Sequence, residues 1–188
     1  MTWLFIGLLI FIALHSLRSH AESFRNFLIS QVGLLPFRIV YSLLTLIALY
    51  MIGLGLVESR NAPTMLWQPN PDWRQIMGIG MWFVALGVSA SWVPGTFLRA
   101  RLKQPLLLAI VLWSLLHLSV SAYAHQWVIY ITILMWGLSV LWRDWSMVPA
   151  PGIAITRDLL AVILATILWL LFGFYLHAGI IGVPVYLF

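Results

Sequence analysis

The sequence contains no cysteine. Disulfides, iron–sulfur clusters, thiolate-ligated haem and covalent haem attachment through C-x-x-C-H are excluded with it. Charge is scarce as well: Asp, Glu, Lys and Arg make up 8% of the chain, against roughly 25% in a soluble globular domain. Apolar residues reach 63%, and mean hydropathy is +1.02. Such a chain cannot cover itself with polar surface in water, so lipid must be its solvent. Carboxylates are scarcer than bases. The five acids, Glu22, Glu58, Asp72, Asp144 and Asp158, all fall between apolar runs or at their ends. With no acid at membrane depth, a proton pump, a cation carrier, a carboxylate-pair hydrolase and a membrane-embedded Ser-His-Asp site are disfavoured. No Gly-rich phosphate loop, low-complexity segment or internal repeat is visible. The net charge of +5 comes from bases dispersed between apolar runs, where topology explains them more simply than nucleic acid does.

What is present is a series of six runs without formal charge, at about 2–17, 39–57, 75–98, 104–122, 126–142 and 159–180. They predict an all-α membrane protein, a bundle of six transmembrane helices forming one domain over residues 1–188. The N-terminus lacks a basic region and a small-residue cleavage site before Arg18, so the first run reads as a retained helix. Ser19 and Glu22 share a helical stripe with His15, which extends that helix past Arg18. Arg18, Arg25, Arg38, Arg99, Arg101, Lys103, Arg143 and Arg157 fall in alternate loops, and only Arg60 and Arg74 fall in the others. By the positive-inside rule the first set is cytoplasmic, and both termini are periplasmic across a bacterial inner membrane. Trp3, Trp67, Trp73 and Trp127 then mark the outer interface, and Trp142 and Trp145 the inner one. Gly87, Ser91 and Gly95 form a small-residue row on the third run, with Pro94 predicting a kink.

Chemistry at membrane depth falls to the histidines: His15, His20, His117, His125 and His177. His15 lies roughly 18 Å below the outer end of the first helix, and His117 roughly 18 Å above the inner end of the fourth. In a hydrocarbon core of about 30 Å their depths differ by about 6 Å, so two neutral imidazoles on separate helices can ligate one metal. Spacing alone does not select the metal. Ser114, His117, Ser121 and His125 share a stripe of the fourth helix, with Trp113 beside it, and the serines are expected to orient the imidazoles. His125 and His177, both near the outer face, form the rival pair. The plainer alternative is that all these histidines only pack between helices.

Several motifs resemble the NnrU-like membrane proteins. His15-Ser16, Arg25-Asn26-Phe27-Leu28, Gly33, Phe37-Arg38 and Tyr41-Ser42-Leu43 are similar to the family's N-terminal pattern. Gln104-Pro105-Leu106 and Leu112-Trp113-Ser114-Leu115-Leu116-His117-Leu118 are similar to its second motif, a proline followed by W-x-x-x-H-L. The resemblance runs over roughly residues 10–145. It implies b-type haem held by His15 and His117, in a family linked to nitrite and nitric oxide metabolism in denitrification. That family also includes a plastid zeta-carotene isomerase with a similar membrane core. Two positions depart from the pattern. Gln104 stands where the family has His, and Ser121-Ala122-Tyr123 where it has Asn-Gly-Asp, which weighs against a shared isomerase activity more than against the haem site. Arg38 shares a stripe with Tyr41 and Thr45 near the cytoplasmic face, where a guanidinium suits haem propionates. Three readings follow: a haem protein supporting nitrogen-oxide chemistry, a haem-dependent isomerase of a lipophilic polyene, and a non-enzymatic membrane subunit or assembly factor. Lipid is the surrounding partner in each, with a nitrogen-oxide or lipophilic substrate in the first two and a membrane protein partner in the third.

Overall fold

The computed structural model describes residues 1–145 and 154–182. Among them are eight α-helices: α1 (Thr2–Ser16), α2 (Glu22–Val32), α3 (Leu34–Asn61), α4 (Trp73–Trp92), α5 (Phe97–Leu102), α6 (Pro105–Val120), α7 (Ala124–Asp144) and α8 (Ile155–Leu171). Residues Phe172–Ile181 continue α8 as a wider π-helical stretch. No strand occurs among the described residues, only an isolated antiparallel bridge between Met65 and Tyr123. The architecture is all-helical, as composition and periodicity predict. Four helices are long and apolar enough to cross a membrane: α3, α4, α7, and α8 with its extension. α1 and α6 are as apolar but have 15 and 16 residues. They rise roughly 22–24 Å, short of a core of about 30 Å.

Boundaries depart from the apolar runs where local chemistry intervenes. α1 stops at Ser16 rather than continuing past Arg18, and residues 17–20 turn. The turn directs Ser19 Oγ to Asp144 Oδ2 at 2.6 Å. The 18–38 segment is no simple loop: it folds as α2, then Gly33 at φ 87° reverses the chain into α3. α4 ends at Trp92, because a residue before proline is driven out of the helical region; Val93 is extended, with ψ 109°. Pro94 therefore terminates the helix instead of kinking it, and Gly95 (φ 78°) belongs to the turn that follows. The small-residue row on this helix reduces to Gly87 and Ser91.

In space the long elements follow the order α3, α1, α7, α6, α4, α8, with α2 resting on α3. Small residues permit the closest approaches. A Cβ on Gly7 would stand 2.8 Å from Ala48 O, and one on Gly87 would stand 2.8 Å from Pro105 O. Indole groups tie α4 to α8, Trp82 Nε1 donating to Thr166 Oγ1 and Trp169 Nε1 to Gly78 O. One end of the bundle gathers the α1 start, the α3 end, the 62–72 loop and the α6–α7 turn. There the Met1 ammonium pairs with Glu58 at 2.9 Å, Arg60 Nη2 donates to Ile181 O, and Trp67 and Trp127 both donate to Ser121 O. At the other end Asp158 accepts from the first-turn amides of α5, Phe97 N and Leu98 N, at 2.9 and 3.0 Å.

Candidate functional site

His15 projects from the last turn of α1 between α3 and α7. Its ring stacks on Phe11 at 4.0 Å and meets Tyr41 at 5.8 Å and the edge of Trp136 at 6.1 Å. His117 projects from the last turn of α6, 7% exposed, against Trp113 at 4.6 Å and Tyr130 at 4.8 Å. It also lies within electrostatic reach of His177 on the π-helical stretch. The two imidazoles are held in the same way. His15 Nδ1 contacts Phe11 O at 2.8 Å, and His117 Nδ1 contacts Trp113 O at 2.9 Å. A carbonyl only accepts, so each Nδ1 carries the proton and each Nε2 keeps its lone pair. This is the arrangement in which a histidine serves as a metal ligand, the second nitrogen fixed by a backbone carbonyl.

The serines do not take the orienting role expected of them. Ser114 Oγ donates to Ile110 O and Ser121 Oγ to His117 O, so both are spent on backbone carbonyls of the preceding turn. His125 does not share α6 with them, because the chain turns after Val120 and His125 opens α7. It is buried with Nδ1 unpartnered, stacked on Tyr123 at 5.8 Å and within electrostatic reach of Arg60. His20 is exposed beside Ser16 in a cleft of about 520 Å³ between α1 and α7, whose far wall holds Thr132, Met135 and Trp136.

Arg38 and His15 come together. Both line a cleft of about 340 Å³ enclosed by α1, α2 and α3, along with Arg18, Arg25, Tyr41 and Ser42. His117 does not join them there. Its neighbour on α7 is Tyr130, whereas that of His15 is Trp136; six residues along a helix separate these levels by roughly 9 Å. Tyr130 and Trp136 escaped the sequence reading. Their signal was an aromatic residue in mid-span, where an interface anchor has no business to be. Arg18 was read only as a topology determinant, and Arg25 as that and as part of the Arg25-Asn26-Phe27-Leu28 motif.

The ligand inventory tests which metal the chain suits. Among the described residues no three His, Cys, Asp or Glu side chains come together. A protein-only centre such as zinc needs three or four such ligands, whereas haem iron asks one or two of the protein. His15, with its Nδ1 engaged, aromatic walls and a cationic cleft beside it, suits one axial ligand of a haem; His117 has the same Nδ1 engagement and stands outside that cleft.

A family model described as NnrU protein matches residues 3–185. The chain belongs to the NnrU family. The match is longer than the motifs suggested, since it takes in α8 and its extension and so brings His177 inside the NnrU domain. No curated protein and no solved structure matches this NnrU chain.

Proposed function

We propose that this NnrU protein holds b-type haem through His15 and His117 in the bacterial inner membrane, and supports nitrite and nitric oxide metabolism by redox or haem-linked chemistry. The observation that carries the reading is the shared Nδ1–carbonyl lock, which leaves two Nε2 lone pairs and no competing thiolate or carboxylate at that depth. Haem, when bound, would supply a one-electron couple. The chain's own residues hold the ring nitrogens in one tautomer, exclude water with Phe11, Trp113, Tyr130 and Trp136, and offer Arg38 to a propionate. In this reading all six apolar helices span the membrane, the short α1 and α6 through local thinning or interfacial anchoring. The arginine-rich end faces the cytoplasm, and both termini are periplasmic.

The experiment is the set of five single His→Ala variants, each checked for membrane insertion and then compared by Soret absorbance per protein. His15→Ala and His117→Ala are expected to lose most of the signal, and His20→Ala to keep it. Retention by both ligand variants, with loss in those of His125 and His177, would move the site to the opposite rim.

A second reading has one observation behind it. The cleft between α1 and α7 is apolar with a few hydroxyls, and Trp136 separates it from His15, which suits a lipophilic substrate such as a polyene. Growth dependence on polyene precursors, rather than on nitrite, would favour that isomerase activity.

A further inference from the structure

Three arginines, Arg18, Arg25 and Arg38, line the cleft beside His15, and no acidic residue lines it with them. Among the described residues the one ion pair is that of Met1 with Glu58, at the opposite end of the bundle. Glu22, one turn before Arg25 on α2, is exposed and does not line the cleft, and Asp144 is engaged by Ser19 Oγ and lies outside the cleft wall. Three arginines around one cleft with no carboxylate among its lining make it a cationic concavity suited to an anion. The cleft is also shaped for one. Arg25 stands over the Phe37 ring at 5.8 Å, and its Nη1 donates to Asn26 Oδ1 at 3.1 Å, so the fork is partly oriented in advance. Ser42 and Tyr41 add hydroxyls, while Leu14, Leu17 and Phe37 form an apolar wall reaching down to His15.

α2 explains how the third arginine arrives. None of its residues is buried, and Phe24, Phe27 and Val32 are more than half exposed. An amphipathic helix of this kind lies in the headgroup layer, not across the core. It brings Arg25 to the cleft, while Arg18 enters from the turn after α1 and Arg38 from α3.

We infer that this cleft is a dicarboxylate site in which Arg18 and Arg25 act with Arg38, so that α2 closes over the two propionates of a haem ligated at His15. The inference rests on the haem reading above and extends it from one arginine to three and from two helices to a third. Guanidinium forks bind carboxylates in bidentate fashion, and lysine does not reproduce that geometry.

The test is to titrate haem-depleted full-length protein in detergent with haem b and, separately, with its dimethyl ester, which keeps the ring and iron but has no carboxylate. The wild type is expected to bind the diacid at least about tenfold tighter, with the same Soret position for both. Arg18→Gln with Arg25→Gln should bring that ratio towards one without moving the Soret band. Arg18→Lys with Arg25→Lys should recover only part of it, and Arg60→Gln with Arg74→Gln, at the opposite end, should leave it unchanged. Equal wild-type affinity for the two forms, with a normal Soret band, overturns the dicarboxylate site and leaves haem binding standing; phospholipid retained by wild type and lost in the double Gln variant would then identify the occupant as a lipid phosphate. Absence of a Soret band with either form overturns both readings.

Discussion

An imidazole in lipid has two nitrogens to account for, and one backbone carbonyl settles only the first. For His117 the second nitrogen has two prospective uses, because His177 lies within electrostatic reach while His15 meets α7 a level away. Replacement of His177 by Ala is expected to leave the Soret amplitude within about a tenth of wild type. Loss comparable to that of His117→Ala would make His177 the second ligand in place of His15. Trp136 offers a different prediction. Its indole nitrogen is buried without a partner, and a buried donor left unpaired costs about 1–3 kcal/mol. Trp136→Phe removes that donor at the expense of some ring contact with His15, so the thermal midpoint should stay level or rise. A fall of more than about 1 kcal/mol in stability would show that the indole N–H has a partner in solution. The sequence disclosed the histidines because ionisable residues stand out against an apolar background. It did not disclose which carbonyl or ring would flank them, since that depends on which helices become neighbours.

Helix ends were legible where they had a covalent cause and illegible where they had a tertiary one. Val93-Pro94 obliges α4 to stop, and the same dipeptide was open to a kink only while the following turn was unknown. Nothing local announces that α1 breaks at Ser16. The turn that follows it holds Ser19 against Asp144, 125 positions away. α5 has a mixed origin: Thr96 Oγ1 accepts from Arg99 N at 3.0 Å, a cap the sequence contains, whereas Asp158 satisfies two further amides from α8. Asp158→Ala should cost about 1.5–3 kcal/mol, as for hydrogen bonds to a charged group, measured by thermal unfolding in detergent. Asp158→Asn should recover part of it. Gly87→Val should be worse, since its branched side chain must occupy the space of Pro105 O and Ala109 Cβ. The expected result is α4 and α6 forced apart and loss of a monodisperse peak in size-exclusion chromatography, whereas Gly53, with open space around it, should tolerate Ala.

The bundle as a whole was legible as helical and apolar, and its two ends differ in charge as the loop count implied. Fusion of a periplasmic phosphatase to the C-terminus should give active enzyme, and a cytosolic reporter at the same place should be silent; the reverse pattern inverts the assigned orientation. Spatial order was the least legible property, because α1 does not sit beside the helix that precedes or follows α7 in sequence, yet it packs on α7 itself. That placement divides the chain into an N-terminal unit of α1, α2 and α3 and a C-terminal unit of α4 to α8. They share the thin seam between α1 and α7, the Ser19–Asp144 bond and the Arg60–Ile181 clasp. During synthesis the first unit can be complete in the bilayer before α7 has left the ribosome, so the seam forms between a finished module and a later one. His15 and His117 stand on opposite sides of it. A cofactor held by both would fasten two separately inserted modules, and fragments 1–61 and 62–188 produced from separate messages should copurify when haem is supplied and drift apart when it is withheld.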